Sequence, residues 1–123
     1  MKFIILIHSN PEFRQIWETL SEAQQVQFGR DHLSVTADID EAGELITSEG
    51  LADPATARTV STRGGLLSVT DGPYSEVKEQ VVGFYLVDCV NMDRAIEYAA
   101  RIPDAAYGAV EVRAVADLKF LDI

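Results

Sequence analysis

The sequence holds one cysteine and two histidines in 123 residues, so neither a disulfide framework nor a cysteine zinc cluster can be built from it. Cys89 lies in the alternating apolar run "FYLVDCV", where a thiol packs as a small buried hydrophobe and no basic neighbour favours a reactive thiolate. Positive charge is scarce as well. Ten Lys and Arg stand against twenty Asp and Glu, a formal charge of -10, which repels phosphate backbones and anionic lipid surfaces. Nucleic acid and membrane partners are therefore not expected. The apolar run "FIILI" follows one Lys and gives way to His8, too short for a signal peptide or a membrane-spanning helix; a cytoplasmic protein is expected. No histidine pair at metal-ligand spacing and no glycine-rich phosphate loop occurs, since "RGG" at 63–65 joins two apparent strands and precedes no helix. No metal or other cofactor is expected.

What is present reads as one domain over residues 1–123 with a single core. "KFIILIH" has the β-branched density of a central strand, and "SNPEF" follows with cap-type residues and Pro11 in place for a first helical turn. A helix from about Glu12 places Phe13, Ile16, Trp17 and Leu20 at helical spacing. "SEAQ" at 21–24 resembles a capping box, so a second helical segment runs from Ser21 toward Ala42, with Gly43 as a left-handed cap. "ELITSEGL" reads as a strand, "TARTVST" and "LLSVT" as a hairpin around "RGG", and "QVVGFYLVDCV" as a long strand in which Gly83 marks a bulge or a close approach. Asn91 caps a helix, "MDRAIEYAARI", that Pro103 ends, and "GAVEVRAV" closes the pattern as a strand with Val110 and Val112 opposite Glu111 and Arg113.

That order predicts an α+β, ferredoxin-like sandwich with an inserted β-hairpin, its helices covering one sheet face. The second face needs a cover, and a second copy of the same sheet would supply it.

Three segments at these separations, "SEGL" at 48–51, "TDGPYSEVKEQVVGFYL" at 70–86 and "GAVEVRAV" at 108–115, resemble the YCII-related family, and within it the branch named for an Asp-Gly-Pro-Phe motif, the DGPF-domain proteins. The resemblance covers nearly the whole chain, with Tyr74 standing where the motif has Phe. It implies a ferredoxin-like fold of the dimeric α/β-barrel type and a homodimer with sheets packed face to face. No single activity follows from it. Many members sit near or are fused to sigma-factor-like regulators, one relative removes chloride from a hydroxylated aromatic compound, and others carry a helix histidine proposed to work with an aspartate.

His32 shares a helical stripe with Phe28, Val35, Ile39 and Ala42. A polar group there must be satisfied, either by a backbone carbonyl beneath the helix or by serving as a general base at the floor of a pocket. Its position eleven residues before Gly43 matches the family's helix histidine, as the resemblance implies. His8, at a strand end, faces either the pocket or the dimer seam. Within "TDGPY", Asp71 can accept backbone N–H bonds, Gly72 permits a positive φ and Pro73 fixes its own φ. The following Ser75, Glu76, Lys78 and Glu79 are too polar for a strand interior, so 70–80 is a turn that is either purely structural or also a ligand-contacting lip with Gly72, Pro73, Tyr74, Lys78 and Glu79. Glu49, at a strand end, competes with Asp71 to be the acid that orients His32.

Two functions follow. One is proton transfer on a small organic ligand, as in an isomerase or a dehydrochlorinase-like lyase, with His32 as base and Asp71 or Glu49 beside it. The alternative is a non-enzymatic ligand-binding or regulatory module associated with sigma-factor-type regulators. Haem binding or cofactor-free oxygenation on a similar architecture is a weaker third, since fold alone does not establish function.

Overall fold

A computed structural model describes residues 1–73 and 79–121. Strand β1 (Lys2–Ser9) is followed by helices α1 (Pro11–Thr19) and α2 (Glu22–Glu41), then by strand β2 (Leu45–Gly50). A hairpin, β3 (Arg58–Arg63) and β4 (Leu66–Asp71), precedes the long strand β5 (Gln80–Asp88), helix α3 (Met92–Arg101) and strand β6 (Val110–Ala114). The main sheet is antiparallel throughout in the order β2-β5-β1-β6, and the hairpin forms a separate two-stranded ribbon. This is the ferredoxin-like α+β fold expected from the sequence, with the hairpin inserted between the second and third strands of the sheet.

Local signals set the boundaries. Asn10 accepts from Phe13 N at 2.7 Å with Pro11 at the first helical position, so α1 starts where a missing N–H does no harm. Ser21 and Gln24 close a reciprocal capping box that opens α2. Gly43, at φ 73, ends it in the left-handed conformation. Gly64 and Gly65 both take positive φ, as a two-residue hairpin loop requires.

The core lies between the sheet and one helix layer. Phe3, Ile5 and Ile7 alternate along β1 on the covered face with Tyr85 and Val87 of β5, and meet Val35 and Ile39 of α2 and Ala95, Tyr98, Ala99 and Ile102 from the α3 side. A polar clamp ties α3 to the start of β2: the Tyr98 hydroxyl donates to Glu44 at 2.5 Å, and Arg94 donates to the same carboxylate oxygen at 3.0 and 3.1 Å. Cys89 is buried, and burial pushes its thiol pKa up.

At β5 the register with β1 shifts between Ile7 and His8, the bulge expected near Gly83. A Cβ at Gly83 would come within 3.2 Å of Glu49 O and 3.7 Å of Ile7 Cδ1. The glycine therefore lets β2 draw close and leaves room above the strand.

Candidate functional site

His32 stands on the inner stripe of α2, four residues after Phe28, whose ring centroid is 5.2 Å from the imidazole, and three before the buried Val35. Its Nε2 is 2.6 Å from Asp104 Oδ1, and its Nδ1 is 2.9 Å from the Tyr85 hydroxyl. Neither partner is local in sequence: Asp104 is 72 residues away and Tyr85 is 53.

Asp104 sits in a single 3₁₀ turn, Pro103–Tyr107, that follows α3. The fully buried Ile102 pins the start of that turn and Gly108, at φ 71, ends it. The carboxylate is thereby carried into the interior, where only 6% of its side chain remains exposed. A buried carboxylate must be hydrogen-bonded, and the imidazole meets that need. Tyr85 comes from the covered face of β5, and Thr36, one turn along α2 from His32, lies 3.1 Å from its hydroxyl. Burial, and then the charge of Asp104, push the Tyr85 pKa up against the lowering effect of Thr36. The phenol keeps its proton and acts as a donor.

With Asp104 as a carboxylate, which only accepts, Nε2 carries the imidazole hydrogen and Nδ1 accepts from Tyr85 O–H. The His32 and Tyr85 rings are nearly parallel, with 3° between their planes and their centroids 6.3 Å apart. Asp104, His32, Tyr85 and Thr36 thus form one continuous polar chain.

This chain borders a cavity of about 280 Å³ whose walls include Ile7, Ser48, Glu49, Gly83, His32 and Tyr85. Register pairs Ser48 with Tyr85 and Glu49 with Phe84. Ser48 is therefore on the covered face with the polar chain, while Glu49 adds to the wall from a position facing the other side of the sheet.

The remaining sequence candidates lie elsewhere. Asp71 ends β4, pairs with Arg58 at 3.1 Å, and its side chain is 90% exposed; cross-strand register holds it beside Arg58, and the carboxylate at His32 is Asp104 instead. Gly72, at φ 92, donates its N–H to Ala57 O at 2.8 Å and accepts from Thr59 Oγ1 at 2.9 Å, closing the base of the hairpin. Pro73 and Glu79 line a separate surface hollow with Arg58 and Val60. Tyr74, Ser75, Glu76 and Lys78 lie outside the described residues. His8 is on the sheet face away from the helices, with Nε2 3.1 Å from Glu111 Oε1 and a buried Nδ1 that has no hydrogen-bond partner among the described residues. Among the described residues no group of three or more His, Cys, Asp or Glu is placed to hold a metal ion, and no helix is long and apolar enough to cross a membrane.

Sequence reasoning missed Asp104 and Tyr85. Asp104 in "RIPDAAYG" looks like an exposed residue after a helix stop. The signal for Tyr85 was present: alternation puts it on the same face as Val87, and a tyrosine on a buried strand face needs a partner for its hydroxyl.

The ferredoxin-like sheet thus carries a helix-borne imidazole held by a buried carboxylate beside a small cavity. The model of the YCII-related domain matches residues 1–119. An uncharacterized protein of Rhizobium meliloti (strain 1021) is 32% identical over 118 residues, which cover 94% of this chain and 93% of that protein. The chain belongs to the YCII-related family.

Proposed function

We propose that the protein moves a proton on a small organic molecule bound in the cavity beside His32, with His32 as the base and Asp104 as the acid that orients it. The observation that carries this reading is the 2.6 Å contact between His32 Nε2 and the buried Asp104. A carboxylate there fixes the tautomer and stabilises the imidazolium formed when the ring accepts a proton, and a positioned base of this kind contributes about 10² to 10⁴ in rate. The "TDGPY" run supports placing the chain in the branch of the family named for its Asp-Gly-Pro-Phe motif.

A homodimer is the form in which we expect this site to work. Among the described residues, two apolar surfaces lack a cover. One is the sheet face opposite the helices, bearing Ile4, Leu6, Phe84 and Leu86. The other is the hairpin face on which Val60, 62% exposed, pairs with Val69, 53% exposed, next to Leu67, 69% exposed. A two-stranded ribbon is marginal on its own in water, and a second copy related by a two-fold axis covers both surfaces at once.

The test of the proton-transfer reading is solvent deuterium uptake in D₂O, followed by proton NMR over a panel of small hydroxylated carbonyl compounds, for wild type and His32→Gln. Exchange of a carbon-bound proton by wild type, with about a hundredfold loss in the variant, is expected. Compounds that bind at His32 without exchanging would contradict it and favour a ligand-binding module.

A further inference from the structure

We infer that Tyr85, rather than the imidazole itself, is the group that exchanges protons with the cavity, so that His32 acts one hydrogen bond behind it. The inference rests on the proton-transfer reading and deepens it by giving the proton a route.

Both ring nitrogens of His32 are occupied by protein groups, Nε2 by Asp104 at 2.6 Å and Nδ1 by the Tyr85 hydroxyl at 2.9 Å. Between them the ring turns only a carbon toward any third partner, and carbon neither accepts nor donates a proton here. A ligand proton therefore has no free lone pair to reach on His32. The Tyr85 oxygen does have one, because a phenol that donates its single hydrogen to Nδ1 keeps two lone pairs, of which the Thr36 hydroxyl, donating at 3.1 Å, takes one. Tyr85 lines the cavity together with His32, Ser48 and Gly83.

The transfer balances without any outside reagent. As a bound molecule's C–H or O–H bond breaks, its proton forms a new O–H bond at Tyr85. The original Tyr85 O–H bond breaks, and that proton forms Nδ1–H on His32. The bound molecule keeps the electron pair as an anion, and the imidazolium is held against the Asp104 carboxylate. Reversal returns a proton to the same atom or to its neighbour. Thr36 Oγ1, 2.7 Å from His32 O and 3.1 Å from the Tyr85 hydroxyl, can accept the Tyr85 hydrogen when His32 is charged and the cavity is empty. The high pKa of Tyr85 fits this role, since a tyrosinate is never required to persist.

Diethyl pyrocarbonate, which acylates an imidazole nitrogen only where its lone pair is free, tests the central point on the full chain. Mass spectrometry of the His32 peptide from wild type should show acylation about tenfold or more slower than that of N-acetylhistidine at the same pH, the factor that one hydrogen bond provides. Tyr85→Phe should raise the His32 rate toward the free value while its thermal melt stays cooperative and the Nε2–H resonance persists. Wild-type His32 reacting as fast as N-acetylhistidine would overturn the inference whether or not the variant folds. So would a Tyr85 Cζ resonance in wild type that fails to move as His32 takes up a proton. An exchange screen without activity would leave these two results standing, so the failure of the relay and the failure of the proton-transfer reading are distinguishable.

Discussion

Asp104 reaches His32 from the turn that follows α3: its Oδ1 lies 2.6 Å from Nε2 although 72 residues separate the two. The bond depends on Ile102 being buried and Pro103 turning the chain, so that a residue just past a helix end points inward. Asp104→Asn keeps the shape and loses the charge. An asparagine amide can also donate to Nε2, which favours the wrong tautomer. Proton exchange should fall about a hundredfold or more, with a melt cooperative and near that of wild type; unchanged exchange would remove Asp104 from the mechanism.

Much of the fold was legible because its signals are local. The capping box at Ser21 and Gln24, the Pro11 start, the two glycines at 64–65 and the β-branched runs each specify their element within a few residues. His32 was legible for the same reason, as one polar member of the stripe that buries Val35 and Ile39. Its partners were not. Which carboxylate meets His32 depends on how α3 packs against the sheet, and no local pattern distinguishes Asp104, buried after Pro103, from Asp71, exposed beside Arg58.

Two glycines should respond in opposite ways to the same change. Gly29 lies within α2, where a Cβ would meet none of the described residues within 4 Å, so Gly29→Ala should stabilise by roughly 0.5 to 1 kcal/mol. Gly72 also meets none of the described residues there but sits at φ 92, so Gly72→Ala should destabilise by about 1 kcal/mol. Thermal melts of the two variants give both signs.

The clamp between α3 and β2 sets a pH dependence. The hydrogen bond from Tyr98, with that from Arg94, holds the Glu44 carboxyl below the usual carboxylate range. A lowered folded-state pKa means that this stabilisation is present above the unfolded value of about 4.3 and is lost as pH falls through the folded value. Glu44→Gln should therefore cost roughly 1 to 2 kcal/mol at neutral pH. The gap between its melting temperature and that of wild type should close as pH falls below about 4. A gap that stayed constant down to pH 3 would mean that the Glu44 charge contributes nothing.

If a second copy covers the sheet and the hairpin, light scattering at low micromolar concentration should return twice the chain mass, since a stable interface of this kind buries about 1,200 Å² or more. Val60→Asp and Val69→Asp together place two charges side by side on the exposed hairpin face and should shift the protein toward monomer. A wild-type monomer at that concentration would rule out the homodimer.

The central claim is that His32 is held on both sides, by Asp104 at one nitrogen and Tyr85 at the other. Nitrogen-15 NMR of the His32 ring in wild type near pH 8 reads both contacts at once. The account predicts a protonated Nε2 with a strongly deshielded, slowly exchanging hydrogen, and an unprotonated Nδ1 shifted by an accepted hydrogen bond that Tyr85→Phe abolishes. Two nitrogens averaging between tautomers and exchanging freely with water, unaffected by either Asp104→Asn or Tyr85→Phe, would contradict it.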